Sequence, residues 1–209
     1  MTEESQDNSN LFQGRGFQKI DKAVNQSIAI VKDAMNGKRD VYPTKWPRLN
    51  KNLLGGLQGG KMYVIAGRPG VGKSAFSNQM VFDVLDVNQN KDVIVLYWSF
   101  EMPGYQQIMR SASKQVNKQL GDLLSVEARL KDDDFKNYAS NVQRFNKYPV
   151  YFNNIPRTME FIKATNEQIF MSQPTARVIN IFDHSRLIKG PQEHTELQKL
   201  NEISKGCMW

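Results

Sequence analysis

Six apolar residues near the start of the chain, Phe17, Ile20, Val24, Ile28, Val31 and Met35, are spaced 3, 4, 4, 3 and 4 apart. That rhythm predicts one apolar stripe along a helix of about five turns over residues 17–36. Asn36-Gly37 ends it. Residues 1–16 are polar and contain glycine, and read as a disordered tail. The stripe needs a cover, which its own domain or a neighbouring subunit would provide. Residues 38–60 read as a connector. Pro43 and Pro47 flank Trp46 and interrupt any helix, and Leu49, Leu53 and Leu54 lead into the turn-rich run Gly55-Gly56-Leu57-Gln58-Gly59-Gly60.

Beyond residue 60 the pattern alternates between short apolar runs and amphipathic stretches. Met62 to Ala66 predicts a short buried strand, and Ser74 to Leu85 a helix with Phe76, Met80, Val81 and Val84 on one side. Val93 to Phe100 is almost continuously apolar, as suits a strand covered on both faces of a parallel sheet. Pro103 opens a helix whose inner face is Tyr105, Ile108, Met109, Ala112 and Val116. Residues 117–131 are ambiguous, with a short helix the simplest reading. Asp132-Asp133-Asp134 starts another helix, faced by Phe135, Tyr138, Val142 and Phe145; the triplet suits the helix dipole better than a metal. Val150 to Phe152 predicts a strand. Thr158 to Met171 predicts a helix with Phe161, Ile162, Ile169 and Phe170 inward. Ala176 to Phe182 predicts a strand closed by Asp183, and Glu193 to Lys205 a last helix on Leu197, Leu200 and Ile203. Strands alternating with helices in this way make an α/β protein: a mainly parallel sheet with helices on both faces. No period signals a repeat array.

Composition changes this picture little. A chain of 209 residues suits one large domain with an extension. It has no apolar run of membrane-spanning length and no signal peptide, so no membrane association is expected. The single cysteine, Cys207, excludes an internal disulfide, and a reducing cytoplasm is the simplest compartment. The net charge is +7. Glu3, Glu4 and Asp7 are the only charged residues among the first ten, so the remainder carries +10. That charge suits a nucleic-acid partner and a solvated basic surface equally well.

The chemistry is concentrated in GRPGVGKS. Gly67, Arg68, Pro69, Gly70, Val71, Gly72, Lys73 and Ser74 fit G-x-x-x-x-G-K-S/T without a gap, between a predicted strand and a predicted helix. This is the P-loop arrangement. Glycines let backbone N–H groups converge on phosphate oxygens, and the helix N-terminus adds partial positive charge. Lys73 would reach the β- and γ-phosphates of a bound nucleotide, and Ser74 would ligate Mg²⁺. Asp183 closes a buried strand downstream, where a second Mg²⁺ contact is expected. Glu101 ends another buried strand; a site carboxylate and a solvated helix-opening charge are both open readings. His184 and His194 make no zinc pattern.

With these residues in place, the chain resembles the ATPase domain of the DnaB-like replicative DNA helicases, which are RecA-type P-loop motors. LLGGLQGGKMYVIAGRPGVGKSAF resembles the family's first strand and P-loop. WSFEMPGYQQIMR resembles its second motif, Ser-Leu/Phe-Glu-Met followed by a distant Arg, and INIFDHSRLIKG resembles its acidic strand motif. His184-Ser185-Arg186 replaces the usual Tyr-Leu-Gln, as in looser phage-like relatives. The helix at 17–36 resembles the family's linker helix, which docks on the adjacent subunit. The likeness runs from about residue 17 to 205. It divides the chain into a tail (1–16), a linker helix (17–37), a connector (38–60), a partial RecA-like ATPase domain (61–205) and a tail foreign to the family (206–209).

The resemblance implies ATP-driven translocation on single-stranded DNA by a ring, most simply a hexamer, in the cytoplasm of a bacterium or a phage-infected host. Primase and loader proteins are the implied further partners. It implies that Ser74 and Asp183 hold Mg²⁺, that Glu101 polarises the attacking water, and that Lys73 neutralises the phosphates. Arg110 organises the Glu101 region or is a helix-surface charge. Two rivals stand beside it: another RecA-type ATPase, such as a recombinase or clock-type ATPase, and a truncated nucleotide-binding chain that regulates a full-length ring. The resemblance also implies a sensor strand between the P-loop strand and the Asp183 strand, following the latter in sequence. The chain ends one helix after Asp183, so the expectation is missing C-terminal strands. An open sheet position of ~10 Å and a chain inactive on its own would follow, as from an interrupted gene.

Overall fold

Strand β3 (Val93–Ser99) is buried at every position and forms the middle of the sheet. The computed structural model describes residues 17–127, 130–183 and 188. β3 lies between β4 (Val150–Asn153) and β5 (Arg177–Asp183), parallel to both, in the order β4-β3-β5. The register pairs Leu96 with Tyr151 on one side and Ser99 with Asp183 on the other. A strand buried on both faces has no reason to alternate polar and apolar residues, which explains the continuous apolar run.

Each face of the sheet carries its own core. On one face Val93, Val95 and Tyr97 pack with Val81, Phe82, Val84 and Leu85 of α3 (Lys73–Val87), with Ala112 of α4 (Gly104–Gln115) and with Phe145. On the other, Ile94, Leu96, Trp98 and Phe100 pack with Met159 and Ile162 of α7 (Met159–Ser172). Thr158 caps α7 by accepting from the backbone N–H of Phe161. Gly104 opens α4 against β4 so closely that a Cβ there would stand 2.7 Å from Phe152 Cγ.

The connector departs from its expected form. Pro47 does not break a helix but starts one, α2 (Pro47–Asn52), because a proline at the first helical position forgoes no hydrogen bond. Short strands β1 (Val41–Tyr42) and β2 (Leu57–Gln58) pair antiparallel. Gly56 makes this possible: its φ is +143°, and a Cβ would stand 2.4 Å from the Tyr42 carbonyl oxygen. α5 (Leu120–Leu124) is the short helix of the ambiguous stretch, closed by a reciprocal Gln119–Asp122 capping box. α6 (Asp132–Gln143) carries its three aspartates in the first turn. Among the described residues no group of three His, Cys, Asp or Glu could hold a metal, and no helix is long and apolar enough to cross a membrane.

Four side-chain expectations are corrected. Tyr105, Phe135, Phe161 and Phe170 are exposed rather than inward, and Gln107, Ala112 and Ser113 supply the buried face of α4. The larger correction is Met62 to Ala66, which forms no strand. Its side chains are well exposed, Val64 at 74%. A strand is stabilised by a ladder and a covered face. Among the described residues no strand pairs with this segment or with the free edge of β5.

The chain divides into two compact units, residues 1–40 and 41–209. Within the first, α1 (Ile20–Met35) starts three residues later than the stripe suggests, with Asp21 in its first turn and Lys32 in its last. No residue of α1 is buried; Ile20, Ile28 and Met35 are among its exposed apolar side chains. The tails 1–16 and 206–209, the helix at 193–205, His184, Ser185, Arg186, His194 and Cys207 lie outside the described residues.

Candidate nucleotide site

The loop before α3 is built by two left-handed glycines. Gly70 has φ +80° and Gly72, the N-cap of α3, has φ +94°, conformations that side-chain-bearing residues rarely adopt. At Gly67 a Cβ would stand 2.9 Å from Cγ2 of the exposed Val71, so a side chain there would displace Val71. The result is a short glycine-cornered turn that ends on the first turn of a helix, where backbone N–H groups lack partners within the helix.

Lys73 folds back over this loop. Its Nζ donates to the carbonyls of Gly67 and Arg68, each at 3.1 Å. The ammonium is thus held at the loop by neutral acceptors that a phosphate can replace at little cost, since an anion is the stronger partner. Ser74 Oγ donates to Asp183 Oδ1 at 3.0 Å, joining residues 109 apart in sequence. β5 is in register with β3 so that Asp183 lies opposite Ser99, and the Phe100 N–H donates to the Asp183 carbonyl at 3.4 Å.

Around Asp183 the surroundings are polar and largely closed. Gln107 Nε2 lies 3.5 Å from Asp183 Oδ2 and donates to Ser99 Oγ at 3.1 Å. Ser99 Oγ in turn donates to the Met102 carbonyl, in the turn that carries Glu101. Tyr97 is fully buried; burial, and then the negative charge of Asp183, push its hydroxyl well above the ordinary tyrosine range. Glu101 and Arg110 are both exposed.

The structure therefore brings Lys73, Ser74 and Asp183 to one place and puts Glu101 two residues past the strand end that faces Asp183. Gln107 was invisible to the apolar pattern, which assigns the inner face of its helix to Tyr105. Its one sequence signal is position, a polar residue beside Ile108 and four before Ser111. For Mg²⁺ the donor set fits. A carboxylate oxygen and a hydroxyl oxygen lie in hydrogen-bond contact beside the P-loop, and Mg²⁺ takes one or two protein oxygens plus phosphate oxygens and waters.

Comparison with known proteins shows the family. The family model of the DnaB-like helicase C-terminal domain matches residues 42–208. Two replicative DNA helicases DnaB of Helicobacter pylori are similar: that of strain 26695 is 26% identical over 196 residues, 91% of this chain and 38% of the relative, and that of strain J99 is 27% identical over 165 residues, 78% and 32%. The chain thus spans about a third of the length of these relatives. Among solved structures, an ATPase domain superposes with a TM-score of 0.74 at 18% identity, covering 91% of this chain and 66% of the other. A DnaB-like replicative helicase, described with its interactions with primase, gives 0.74 at 17%, covering 92% and 46%. Those neighbours establish the RecA-like α/β fold.

Proposed function

The chain belongs to the DnaB-like helicase C-terminal domain family, and from that premise we propose that it is the ATP-hydrolysing motor portion of a replicative DNA helicase, moving on single-stranded DNA as a ring. The observation that carries the reading is the contact between Ser74 and Asp183 at the P-loop. It brings together two side-chain oxygens that would suit Mg²⁺, from residues 109 apart in sequence.

In this reading Gly67 to Ser74 cradle the triphosphate through backbone N–H groups, and Lys73 exchanges its loop carbonyls for the β- and γ-phosphates. Ser74 and Asp183 would hold Mg²⁺, which when bound would neutralise phosphate charge. Glu101 accepts a hydrogen bond from the attacking water and orients its lone pair toward the γ-phosphorus. The water oxygen forms the new P–O bond as the bond to the β-phosphate oxygen breaks, the water's proton passes to Glu101 and from it to solvent, and ADP and phosphate leave. Nearly all of the rate enhancement comes from positioning and electrostatics.

Partners and assembly follow the same premise. Residues 17–37 act as a linker helix whose exposed stripe docks on the adjacent subunit of a hexamer, in the cytoplasm of a bacterium or a phage-infected host. Primase and loader proteins would bind the assembled ring. The test is ATP turnover with and without single-stranded DNA. Stimulation by DNA that vanishes in Lys73→Ala supports the motor; turnover indifferent to both removes it.

A further inference from the structure

The three groups assigned to chemistry lie on different elements: Lys73 and Ser74 on α3, Glu101 beyond β3, and Asp183 on β5. One residue links these elements, through its side chain to β5 and the end of β3 and through its backbone to α3. Gln107, on α4, is 1% exposed. Its amide nitrogen donates to Ser99 Oγ at 3.1 Å and approaches Asp183 Oδ2 at 3.5 Å. Ser99 Oγ holds the Met102 carbonyl in the turn that carries Glu101. From the other side Asn78 of α3 donates to the Gln107 backbone carbonyl at 2.9 Å and to Ser111 Oγ at 2.8 Å, fixing α4 against the P-loop helix.

Gln107 is a poor choice for packing alone. Its Oε1 is buried without a hydrogen-bond partner, as is Asn78 Oδ1. A buried acceptor left unsatisfied costs stability, and an apolar residue of the same shape would remove that cost. A neutral donor also has a specific merit beside Asp183. It orients one carboxylate oxygen while Ser74 orients the other, yet leaves the full negative charge for a cation. A lysine or arginine there would neutralise it.

We propose that Gln107 is a positioning residue for the Mg²⁺-nucleotide site, setting the orientation of the Asp183 carboxylate and, through Ser99, the turn that carries Glu101. The proposal rests on the reading of Ser74 and Asp183 as the protein's Mg²⁺ ligands.

The test is nucleotide binding by calorimetry over a Mg²⁺ titration, using a non-hydrolysable ATP analogue, on wild type, Gln107→Met, Gln107→Asn and Lys73→Ala. Gln107→Met keeps the volume and deletes the donor, and Gln107→Asn withdraws the amide by one methylene. Both raise the half-saturating Mg²⁺ concentration about tenfold, as loss of a residue supporting a metal ligand does. Both leave Mg²⁺-free affinity unchanged, and Gln107→Met melts at or above the wild-type temperature. A wild-type Mg²⁺ requirement in both variants overturns the proposal. So does a Gln107→Met that melts several degrees lower with an unshifted requirement, which makes Gln107 a packing residue. Lys73→Ala reports separately on the site: if it binds the analogue as wild type does, the P-loop reading fails whatever the Gln107 variants do.

Discussion

The Ser74 hydroxyl donates to Asp183 Oδ1 at 3.0 Å, so the first turn of the P-loop helix and the end of β5 meet through a pair of side-chain oxygens. Removing either oxygen has a distinct signature. Ser74→Ala and Asp183→Asn weaken Mg²⁺-dependent nucleotide binding while leaving binding without Mg²⁺ near wild type. The check is calorimetric titration with and without chelator; equal losses in both conditions would mean the pair is structural.

Glu101 separates from that pair by its kinetics. Glu101→Gln retains Mg²⁺-nucleotide affinity and loses ~10²–10⁴-fold in turnover, the usual contribution of a positioned proton acceptor. Steady-state ATP hydrolysis of the assembled protein, alongside binding, reads this directly. Near-normal turnover would return Glu101 to the surface charge that its exposure also allows.

The proposed linker role of α1 is tested by removal. Residues 1–40 form a compact unit of their own, and no residue of α1 is buried. Deleting residues 1–36 leaves the melting temperature of the remainder unchanged and abolishes the oligomer in sedimentation velocity. An oligomer that survives the deletion shows that the stripe does not make the ring.

Asp86 gives the second unit a pH signature. Burial pushes its carboxyl up, but Lys45 at 2.8 Å and Tyr148 Oη at 2.6 Å outweigh this, and the group lies below its ordinary value of 3.8. A carboxyl depressed on folding stabilises the protein above its unfolded-state value, and that stability is lost as pH falls through the folded value. Wild type therefore melts above Asp86→Asn by a constant margin from pH 5 to neutrality, and the margin closes below about pH 4. Thermal melts across pH 2–7 measure it.

Gly56→Ala tests the connector. The left-handed backbone alone costs about 1–3 kcal/mol for a residue with a Cβ, and a methyl group 2.4 Å from the Tyr42 carbonyl forces β1 from β2. A denaturant midpoint equal to wild type would contradict the observed β1–β2 pairing.

What could be read in the sequence was whatever depends on local pattern. The P-loop is contiguous, β3 is uninterrupted in its apolar residues, and Asp183 closes a strand, so each was legible without a fold. The segment Met62–Ala66 was misread because strand character belongs to a pair of strands, and apolar composition alone cannot supply the partner. Pro47 was misread because the same residue breaks a helix interior and starts a helix end. Gln107 was missed because helix periodicity scores apolar residues, and a buried amide contributes nothing to that score. Its role depends on Ser99 and Asp183, which the sheet register brings opposite one another.

The central claim is that GRPGVGKS, with Asp183, is a working Mg²⁺-nucleotide site. Titrating Mg·ATP into the wild-type protein and into Lys73→Ala by calorimetry tests it most directly. Saturable binding to wild type, weakened at least tenfold in the variant, is the predicted result; no saturable binding to wild type, or equal affinity in both, would contradict it.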